Sequence, residues 1–373
     1  MPISCPWSWD SSPTRARAAP AAWAATNWNP RPPSRNKMQL ILNDYGLRMG
    51  RTHERITVTK DGKPVADAPI RDIEQVIIAT DSASVTTAAL AALLENGIPV
   101  TFVDHSGGVF GQLISPTDFG DAALRALQYA AAADGRGLAL AKAFIRGKLA
   151  NQALNLKYFA KSRARSNPDA AQTLNGAAQQ IEAIIPEIQS IPGPGLDAAR
   201  GSILAAEGRA AIHYWNALKT IVPPELEFTA RVRRGATDPV NASLNYGYAM
   251  LYARVWSCVL AARLDPYAGF IHTYRKNKPT LVFDFIEEFR AFVVDRPLFS
   301  WFTKGGRPEC DPDSRLSKAT RDRISGLVLK RLATTIPYHG RDTKVQDIIQ
   351  AEAWEIIRFL KQNEEHTPFI GTW

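Results

Sequence analysis

The change of pattern that decides the fold lies in residues 99–133, which read PVTFVDHSGGVFGQLISPTDFGDAALRALQYAAAA. Pro99–Val103 and Phe110–Leu113 have the length and composition of short strands. After Pro116 the apolar residues recur with the helical period of about 3.6, first in Ala122–Ala133. The sequence therefore predicts a β-rich part that ends near this point and a helical part that begins there.

Residues 38–115 contain further short strand-like segments, which predict a small β-rich domain. They are Met38–Leu42, Leu47–Gly50, Arg55–Thr59, Val65–Ala68 and Gln75–Ala79. Asp61-Gly62 is typical of a hairpin turn because glycine tolerates a positive φ. Thr86–Asn96 is predicted to form a helix that ends at Gly97.

Residues 116–373 keep the helical period and predict a larger domain built of helices. Beyond Ala122–Ala133, the expected helices are Gly137–Ser162, Asp169–Ile185, Leu196–Leu218, Pro239–Leu264, Asp284–Arg296, Ser314–Leu332 and Val345–Asn363. The expected fold class is α+β, with a small N-terminal β-rich domain followed by a larger all-α C-terminal domain.

Positive charge is unevenly distributed along the chain. The formal net charge is +9, made up of +4 in residues 1–37, −3 in residues 38–114 and +8 in residues 115–373. A positive helical part suggests a polyanion as partner. The lysines and arginines within Gly137–Ser162 could contact DNA or could form an ordinary solvated helix face.

Several classes of protein are disfavoured by the sequence. No apolar run of about 18 uncharged residues is present, so a membrane span is not expected. The three cysteines are too few and too scattered for a disulfide framework, which fits a reducing cytoplasm. Phosphate-binding loops for ATP, a dinucleotide fingerprint and a G-x-S-x-G elbow are not found.

Residues 1–37 differ in composition from the rest of the chain, being rich in Pro, Ala, Ser, Arg and Trp without a regular period. We expect a disordered extension, or one translated from upstream of a true start at Met38. An organellar transit peptide is the alternative. Sequencing the N-terminus of the natural product would decide between them.

The residues that could carry chemistry centre on Asp265-Pro266-Tyr267-Ala268-Gly269-Phe270-Ile271-His272. Gly269 permits a close approach of the chain just before His272, and Asp284 and Glu287 follow. A histidine with carboxylates can hold Mg²⁺ or Mn²⁺, although solvated acids beside a structural histidine are also common. The spacing of Asp284 and Glu287 fits either a capping box at a helix start or two carboxylates on one helix face.

Further candidates lie upstream of this centre. Glu207 stands among small residues, so its carboxylate could face an interior pocket or simply lie at the surface. Arg231, Arg233 and Arg234 form a basic loop, either for phosphate or as a solvated charge run. With Arg275, which follows His272, these arginines are the residues we assign to DNA binding.

Four motifs in this order resemble the CRISPR-associated integrase of spacer acquisition, the Cas-one family. The motifs are Ala206-Glu207-Gly208 with Tyr214-Trp215, Asp238-Pro239-Val240-Asn241-Ala242-Ser243-Leu244-Asn245-Tyr246-Gly247-Tyr248, Leu264-Asp265-Pro266-Tyr267 with Gly269-Phe270-Ile271-His272, and Phe283-Asp284 with Glu287-Glu288-Phe289-Arg290. The resemblance extends from about Met38 to the end and does not include residues 1–37.

The resemblance implies a catalytic metal site formed by Glu207, His272 and Glu287. Asp284 would cap, orient or assist, and is the alternative third ligand. The ion would be Mg²⁺ or Mn²⁺. The activity implied is that of a metal-dependent DNA endonuclease and integrase, in which a DNA 3′-hydroxyl attacks a phosphodiester and spacer DNA enters a CRISPR array during antiviral defence.

The resemblance also implies partners. Residues 38–115 would join two chains into a homodimer, and such dimers would flank the smaller Cas-two protein and hold double-stranded spacer and repeat DNA. Two other functions stay open: a metal-dependent nuclease on branched DNA without an integration role, and a non-catalytic basic DNA-binding subunit.

Overall fold

The computed structural model describes residues 38–104, 109–115, 121–193, 195–233, 235–311, 315–362 and 364–372. The expectations for residues 1–37 and for Arg234 lie outside these residues and stay predictions.

Within the described residues, the N-terminal part consists of two four-stranded sheets, one α-helix and a short 3-10 turn. Its elements are β1 (Met38–Leu42), β2 (Leu47–Thr52), β3 (Arg55–Lys60), β4 (Lys63–Pro69), β5 (Ile73–Ile78), β6 (Ser84–Val85), α1 (Thr87–Glu95), β7 (Val100–Val103) and β8 (Val109–Leu113). One sheet has the order β1-β5-β7-β8, with only β8 antiparallel to its neighbour. The other has the order β4-β3-β2-β6.

The turn residues explain why the chain folds this way locally. Asp61 and Gly62 both have positive φ, 51° and 76°, in the predicted hairpin between β3 and β4. The hydroxyl of Thr86 accepts a hydrogen bond from the Ala89 amide and caps α1. Gly97, with φ 65°, follows the end of α1 as the sequence predicts.

The C-terminal part consists mainly of helices. They are α2 (Ala122–Ala133), α3 (Gly135–Arg163), α4 (Pro168–Ser190), α5 (Leu196–Lys219), α6 (Pro239–Ala261), α7 (Thr280–Phe285), α8 (Glu287–Arg290), α9 (Arg296–Phe302), α10 (Lys318–Leu332) and α11 (Val345–Gln362). A π-helical turn over Ala291–Asp295 joins α8 to α9, so residues 280–302 form one nearly continuous helical segment. The expected fold class is confirmed.

Two details differ from the sequence expectations. A two-stranded hairpin, β9 (Thr335–Tyr338) and β10 (Arg341–Lys344), precedes α11 within the helical part. The helix expected over Asp284–Arg296 begins at Thr280 instead. The buried side chains of Leu281 and Val282 extend the apolar face of this helix towards its N-terminus.

The sheet with the order β1-β5-β7-β8 packs on the helical part through α6. Ile77 and Val103 from the sheet form a small buried cluster with Ala249 and Ala253. Beside them, the buried guanidinium of Arg254 forms an ion pair of 2.6 Å with Glu74. Because α6 also contacts α7 and α11, this contact connects the sheet to the helices around the candidate site. In the described residues, no helix combines the length and the apolar character that a membrane span requires.

Candidate metal and DNA site

Four side chains from distant parts of the chain meet in the helical part. Lys148 lies on α3, Glu207 on α5, His272 in the loop before α7, and Glu287 on α8. The Lys148 ammonium forms ion pairs with the Glu207 carboxylate and, at 2.8 Å, with Oε2 of Glu287. The structure thus brings two of the expected ligands, Glu207 and Glu287, to one cation.

The electrostatics of this group keep Glu287 charged. Burial by itself would raise the pKa of Glu287, but Arg290 and Lys148 outweigh it and lower this pKa to about 2. Arg290 lies 2.9 Å from Oε1 of Glu287. Burial opposes the charge on Lys148, yet Glu287 and Glu207 hold its pKa above the ordinary value. Glu287 and Lys148 are therefore both ionised at neutral pH.

His272 is held by Asp284. Its Nδ1 lies 2.6 Å from Oδ1 of Asp284. Burial alone would lower the pKa of His272, but the hydrogen bond to Asp284 and the charges of Asp284, Glu287 and Glu207 together raise it. With Nδ1 occupied by a carboxylate, the neutral ring presents Nε2 as its available ligand atom, the arrangement common in protein metal sites.

Both carboxylate oxygens of Asp284 accept hydrogen bonds from the loop that carries His272. The Asp284 side chain extends from α7 and is fully buried. Its carboxylate accepts hydrogen bonds from the backbone N–H groups of Phe270 at 2.5 Å, Ile271 at 2.8 Å and His272 at 3.1 Å, and it is also hydrogen-bonded to the His272 ring. The capping-box interpretation of Asp284 with Glu287 is wrong because the helix begins at Thr280. Asp284 instead orients the His272 loop, one of the roles that the resemblance allows.

The loop that carries His272 is fixed on both sides. The Gln128 side-chain amide donates to the carbonyls of Asp265, at 2.9 Å, and Ala268, at 2.7 Å. Gly269 lies so close to α7 that a Cβ there would stand 2.5 Å from the backbone carbonyl carbon of Thr280. The expected close approach at Gly269 is therefore present, and it allows Asp284 to reach the loop amides.

A network of buried polar side chains lies next to Arg290, the arginine that pairs with Glu287. Asp295 accepts the hydroxyl of Tyr214 at 2.7 Å and also that of Tyr248. Burial raises the pKa of Asp295 to about 6, although these two hydroxyls act against the rise. The Arg290 guanidinium lies over the Tyr248 ring at 5.0 Å. The network therefore connects the Tyr214 motif to the arginine that pairs with Glu287.

The arginines assigned to DNA differ in their surroundings. Arg231 donates to Asn241 at 2.9 Å and Asn245 at 2.7 Å, so part of its hydrogen-bonding capacity fixes the loop onto α6. Arg233 is exposed and its guanidinium lies over the Phe283 ring, 5.7 Å from the centroid. Arg275 is exposed in the loop after His272. Of the three, Arg233 and Arg275 present their charge at the surface.

The expected ligands fit a divalent cation. Glu207, His272 and Glu287 supply two carboxylates and an imidazole, a donor set suited to Mg²⁺ or Mn²⁺. Both carboxylates already point at one positive charge, the Lys148 ammonium. An ion bound to these ligands would compete with that ammonium, and Lys148 would have to move away from at least one carboxylate.

Sequence reasoning missed two residues of this site. Lys148 was grouped with the basic residues of its helix, and Arg290 was noted only as part of a motif. A lysine flanked by Gly147 and Leu149 on a long helix is a weak signal. Its partners lie 59 and 139 positions away, so local sequence could not identify them.

Comparison with known proteins agrees with this fold. The structure matches that of a casposase bound to integration product, with a TM-score of 0.75, 23% identity and coverage of 90% of this chain and 94% of that one. It also matches a Cas6-RT-Cas1–Cas2 complex, with a TM-score of 0.72, 20% identity and coverage of 91% of this chain and 36% of that one. These two likenesses establish the fold.

The sequence comparisons establish the family. A model described as CRISPR associated protein Cas1 matches residues 40–323. The chain is 35% identical over 347 residues to CRISPR-associated endonuclease Cas1 1 of Archaeoglobus fulgidus, covering 90% of this chain and 100% of the relative. The chain belongs to the Cas1 family, which is the Cas-one family that its motifs resemble.

Proposed function

We propose that this chain is a metal-dependent DNA endonuclease and integrase that inserts spacer DNA into a CRISPR array. Membership of the Cas1 family supports the activity. The observation that carries the site is the convergence of Glu207 and Glu287 on a single half-buried cation, Lys148. The role would belong to the adaptation stage of antiviral defence.

In this proposal Glu207, His272 and Glu287 hold Mg²⁺ or Mn²⁺. The bound ion would neutralise negative charge on the scissile phosphate. Asp284 keeps the His272 ring in the tautomer that leaves Nε2 free, and Arg290 keeps Glu287 ionised. The 3′-hydroxyl oxygen of the spacer forms a bond to phosphorus while the bond from phosphorus to the 3′-oxygen of the repeat strand breaks. With water in place of that hydroxyl, the same exchange is hydrolysis.

The proposed DNA contacts lie around this site. Arg233 and Arg275 present guanidinium groups at the surface, and we retain Arg231 and Arg234 in the proposal as members of the same basic loop. Arginine fits phosphate oxygens bidentately. The charge of +8 over residues 115–373 supports binding of a duplex, with affinity that falls as salt rises.

The proposed partners follow the family. Residues 38–115 would form the homodimer contact, and the dimer would assemble with a Cas2 protein on double-stranded DNA. Support comes from a similar solved structure that is a Cas6-RT-Cas1–Cas2 complex, and from another in which a casposase is bound to integration product.

The test is joining of a short duplex to a plasmid that carries a CRISPR repeat, with Mg²⁺ or Mn²⁺ present. We expect joining by the unchanged protein with a Cas2 partner, and loss of joining in Glu207→Ala, His272→Ala and Glu287→Ala. Glu182→Ala is the matched control, because this glutamate only pairs with Lys157 near the surface.

Joining that persists in the Glu207 or His272 variant would refute the site. Cleavage of branched DNA without joining would favour the simpler nuclease, and absence of both reactions with either metal would favour a non-catalytic subunit. Metal affinity measured for Glu287→Ala and for Asp284→Ala distinguishes the third ligand, since equal affinity in the Glu287 variant would reject our choice.

A further inference from the structure

A second histidine meets two carboxylates at a place away from the first group. Glu288 comes from α8, Glu352 from α11 and His366 from the C-terminal segment 364–372. One ligand atom from each lies within 4.8 Å of the others. The three residues are 0%, 1% and 5% exposed, so water does not satisfy them as it would at a surface.

Each of these side chains has atoms without a hydrogen-bonding partner. Oε1 of Glu288, Oε2 of Glu352 and both ring nitrogens of His366 are buried and make no hydrogen bond. The other carboxylate oxygens are satisfied, by the Phe369 amide at 2.8 Å and by the Tyr338 hydroxyl at 3.2 Å. An unsatisfied buried polar group costs about 1–3 kcal/mol. Several of them in one place indicate that a shared partner belongs there.

The spacing suits ligands around a metal ion. Nε2 of His366 lies 3.6 Å from Oε1 of Glu288, beyond a normal hydrogen bond. Two ligands bound tetrahedrally at about 2.1 Å from Zn²⁺ are about 3.4 Å apart. The His366 nitrogen and the Glu288 oxygen therefore need to move by only a few tenths of an ångström to share an ion, and a ligand atom of Glu352 lies within 4.8 Å of the ligand atoms of the other two residues.

No protein cation takes this place in the described part of the chain. Arg146 is close enough for its charge to influence Glu288 and His366. Nevertheless, no ion pair links Arg146 to Glu288, Glu352 or His366 among the described residues. A cavity of about 230 Å³ borders His366.

The cluster also lies where the C-terminal segment is attached. Asn151 on α3 donates to the carbonyls of Glu288 and Phe369, both at 2.8 Å, and accepts the Gly371 amide at 2.8 Å. Gly147 packs so closely that a Cβ would lie 2.8 Å from Pro368. An ion held by Glu288, Glu352 and His366 would add a bond between α8, α11 and this segment.

We propose that Glu288, Glu352 and His366 form a second, structural binding site for a divalent transition-metal ion of the zinc or manganese class. One imidazole and two carboxylates suit these ions. Because Glu288 directly follows Glu287, the ion stabilises the helical turn that carries a proposed catalytic ligand. This site does not depend on the proposed function, since none of its ligands belongs to the first group.

The experiment measures metal binding in a protein whose first site is removed. Glu207→Gln with His272→Gln serves as the background, purified as the full chain, stripped with chelator and dialysed against Zn²⁺, Mn²⁺ or Co²⁺. We expect about one ion per chain by elemental analysis, a Co²⁺ visible absorption spectrum, and a higher melting temperature with the ion than without it.

Two further variants locate the ion. Adding Glu352→Gln or, separately, His366→Gln to the background should weaken binding at least tenfold and abolish the rise in melting temperature. Glu355→Gln is the matched control on α11, since its carboxylate pairs with Arg358 at 2.7 Å, and it should retain both signals. Circular dichroism verifies the folding of each variant. The Co²⁺ spectrum of the background protein tests whether the ion binds even if a second-site variant fails to fold.

The proposal is refuted if the background protein retains none of the three metals. It is also refuted if Glu352→Gln and His366→Gln, when folded, bind the ion as tightly as the background does. Failure of the unchanged protein to join DNA, together with normal binding of this ion in the background variant, would contradict only the proposed function, because joining depends on the first group.

Discussion

Replacement of Asp284 by Asn tests the role assigned to the fully buried carboxylate. Asp284 accepts four hydrogen bonds, three from the backbone of residues 270–272 and one from the His272 ring. Asparagine has only one acceptor oxygen, while its NH₂ group is a donor. If that oxygen keeps the amides of Phe270 and Ile271, the NH₂ group faces the His272 amide, donor against donor.

The expected loss of stability follows from this count. At least one donor loses its acceptor, at about 1–3 kcal/mol. Exchange of a charge-assisted bond to the ring for a neutral one adds about 1 kcal/mol. We therefore expect Asp284→Asn to reduce the free energy of unfolding by about 2–4 kcal/mol, measured by urea denaturation.

The variant also changes the histidine. An amide that donates to Nδ1 places the ring proton on Nε2, the atom proposed to bind metal, so Mn²⁺ affinity should fall by about 10- to 100-fold. The hydrogen bond and charge of Asp284 raise the His272 pKa, so this pKa should fall in the variant, as measured by NMR. Asp67→Asn, in an exposed pair with Arg55, is the control and should change stability by about 0–1 kcal/mol.

Two results would refute this reasoning. An Asp284→Asn protein with the stability of the Asp67→Asn control would mean that the loop amides find other acceptors. An unchanged His272 pKa together with unchanged Mn²⁺ affinity would mean that Asp284 does not set the state of the ring.

Three further predictions concern the same site. Lys148→Met leaves Glu207 and Glu287 without their shared cation, so the free energy of unfolding without metal should fall by about 3–5 kcal/mol. Mn²⁺ should then raise the melting temperature of the variant more than that of the unchanged protein. An equal rise in both proteins would show that the lysine does not compete with metal. Gly269→Ala places a methyl group against the backbone of α7 and should lower the free energy of unfolding by about 1–3 kcal/mol. Metal binding measured by calorimetry should also be weaker. A variant as stable as the unchanged protein would contradict the close approach. Because the pKa of His272 is raised, its protonated form contributes stability that is fully present below the ordinary pKa of about 6.5 and is lost as pH rises through the raised pKa. Mn²⁺ affinity should increase over the same pH window, because the metal binds the neutral ring. A Mn²⁺ affinity independent of pH would exclude this histidine as a ligand.

Much of the fold could be predicted from local sequence. Period-two segments with turn residues such as Asp61-Gly62 place strands before residue 115, and the 3.6-residue period places helices after Pro116, since both signals lie within short windows. The hairpin β9–β10 was missed because its short strands lie between two strong helical patterns. The start of α7 was missed because Asp284 resembles an N-cap, whereas it bonds to a loop twelve to fourteen residues earlier.

The sequence alone determined the fold class, the family resemblance and the types of ligand, because these depend on order and spacing along the chain. Only the tertiary structure decided which charges meet. Lys148 reaches Glu207 across 59 positions, Asp284 uses both carboxylate oxygens on the His272 loop, and Glu288, Glu352 and His366 converge from three segments. Side chains so far apart in sequence become neighbours through helix packing, and burial strengthens the interaction between their charges.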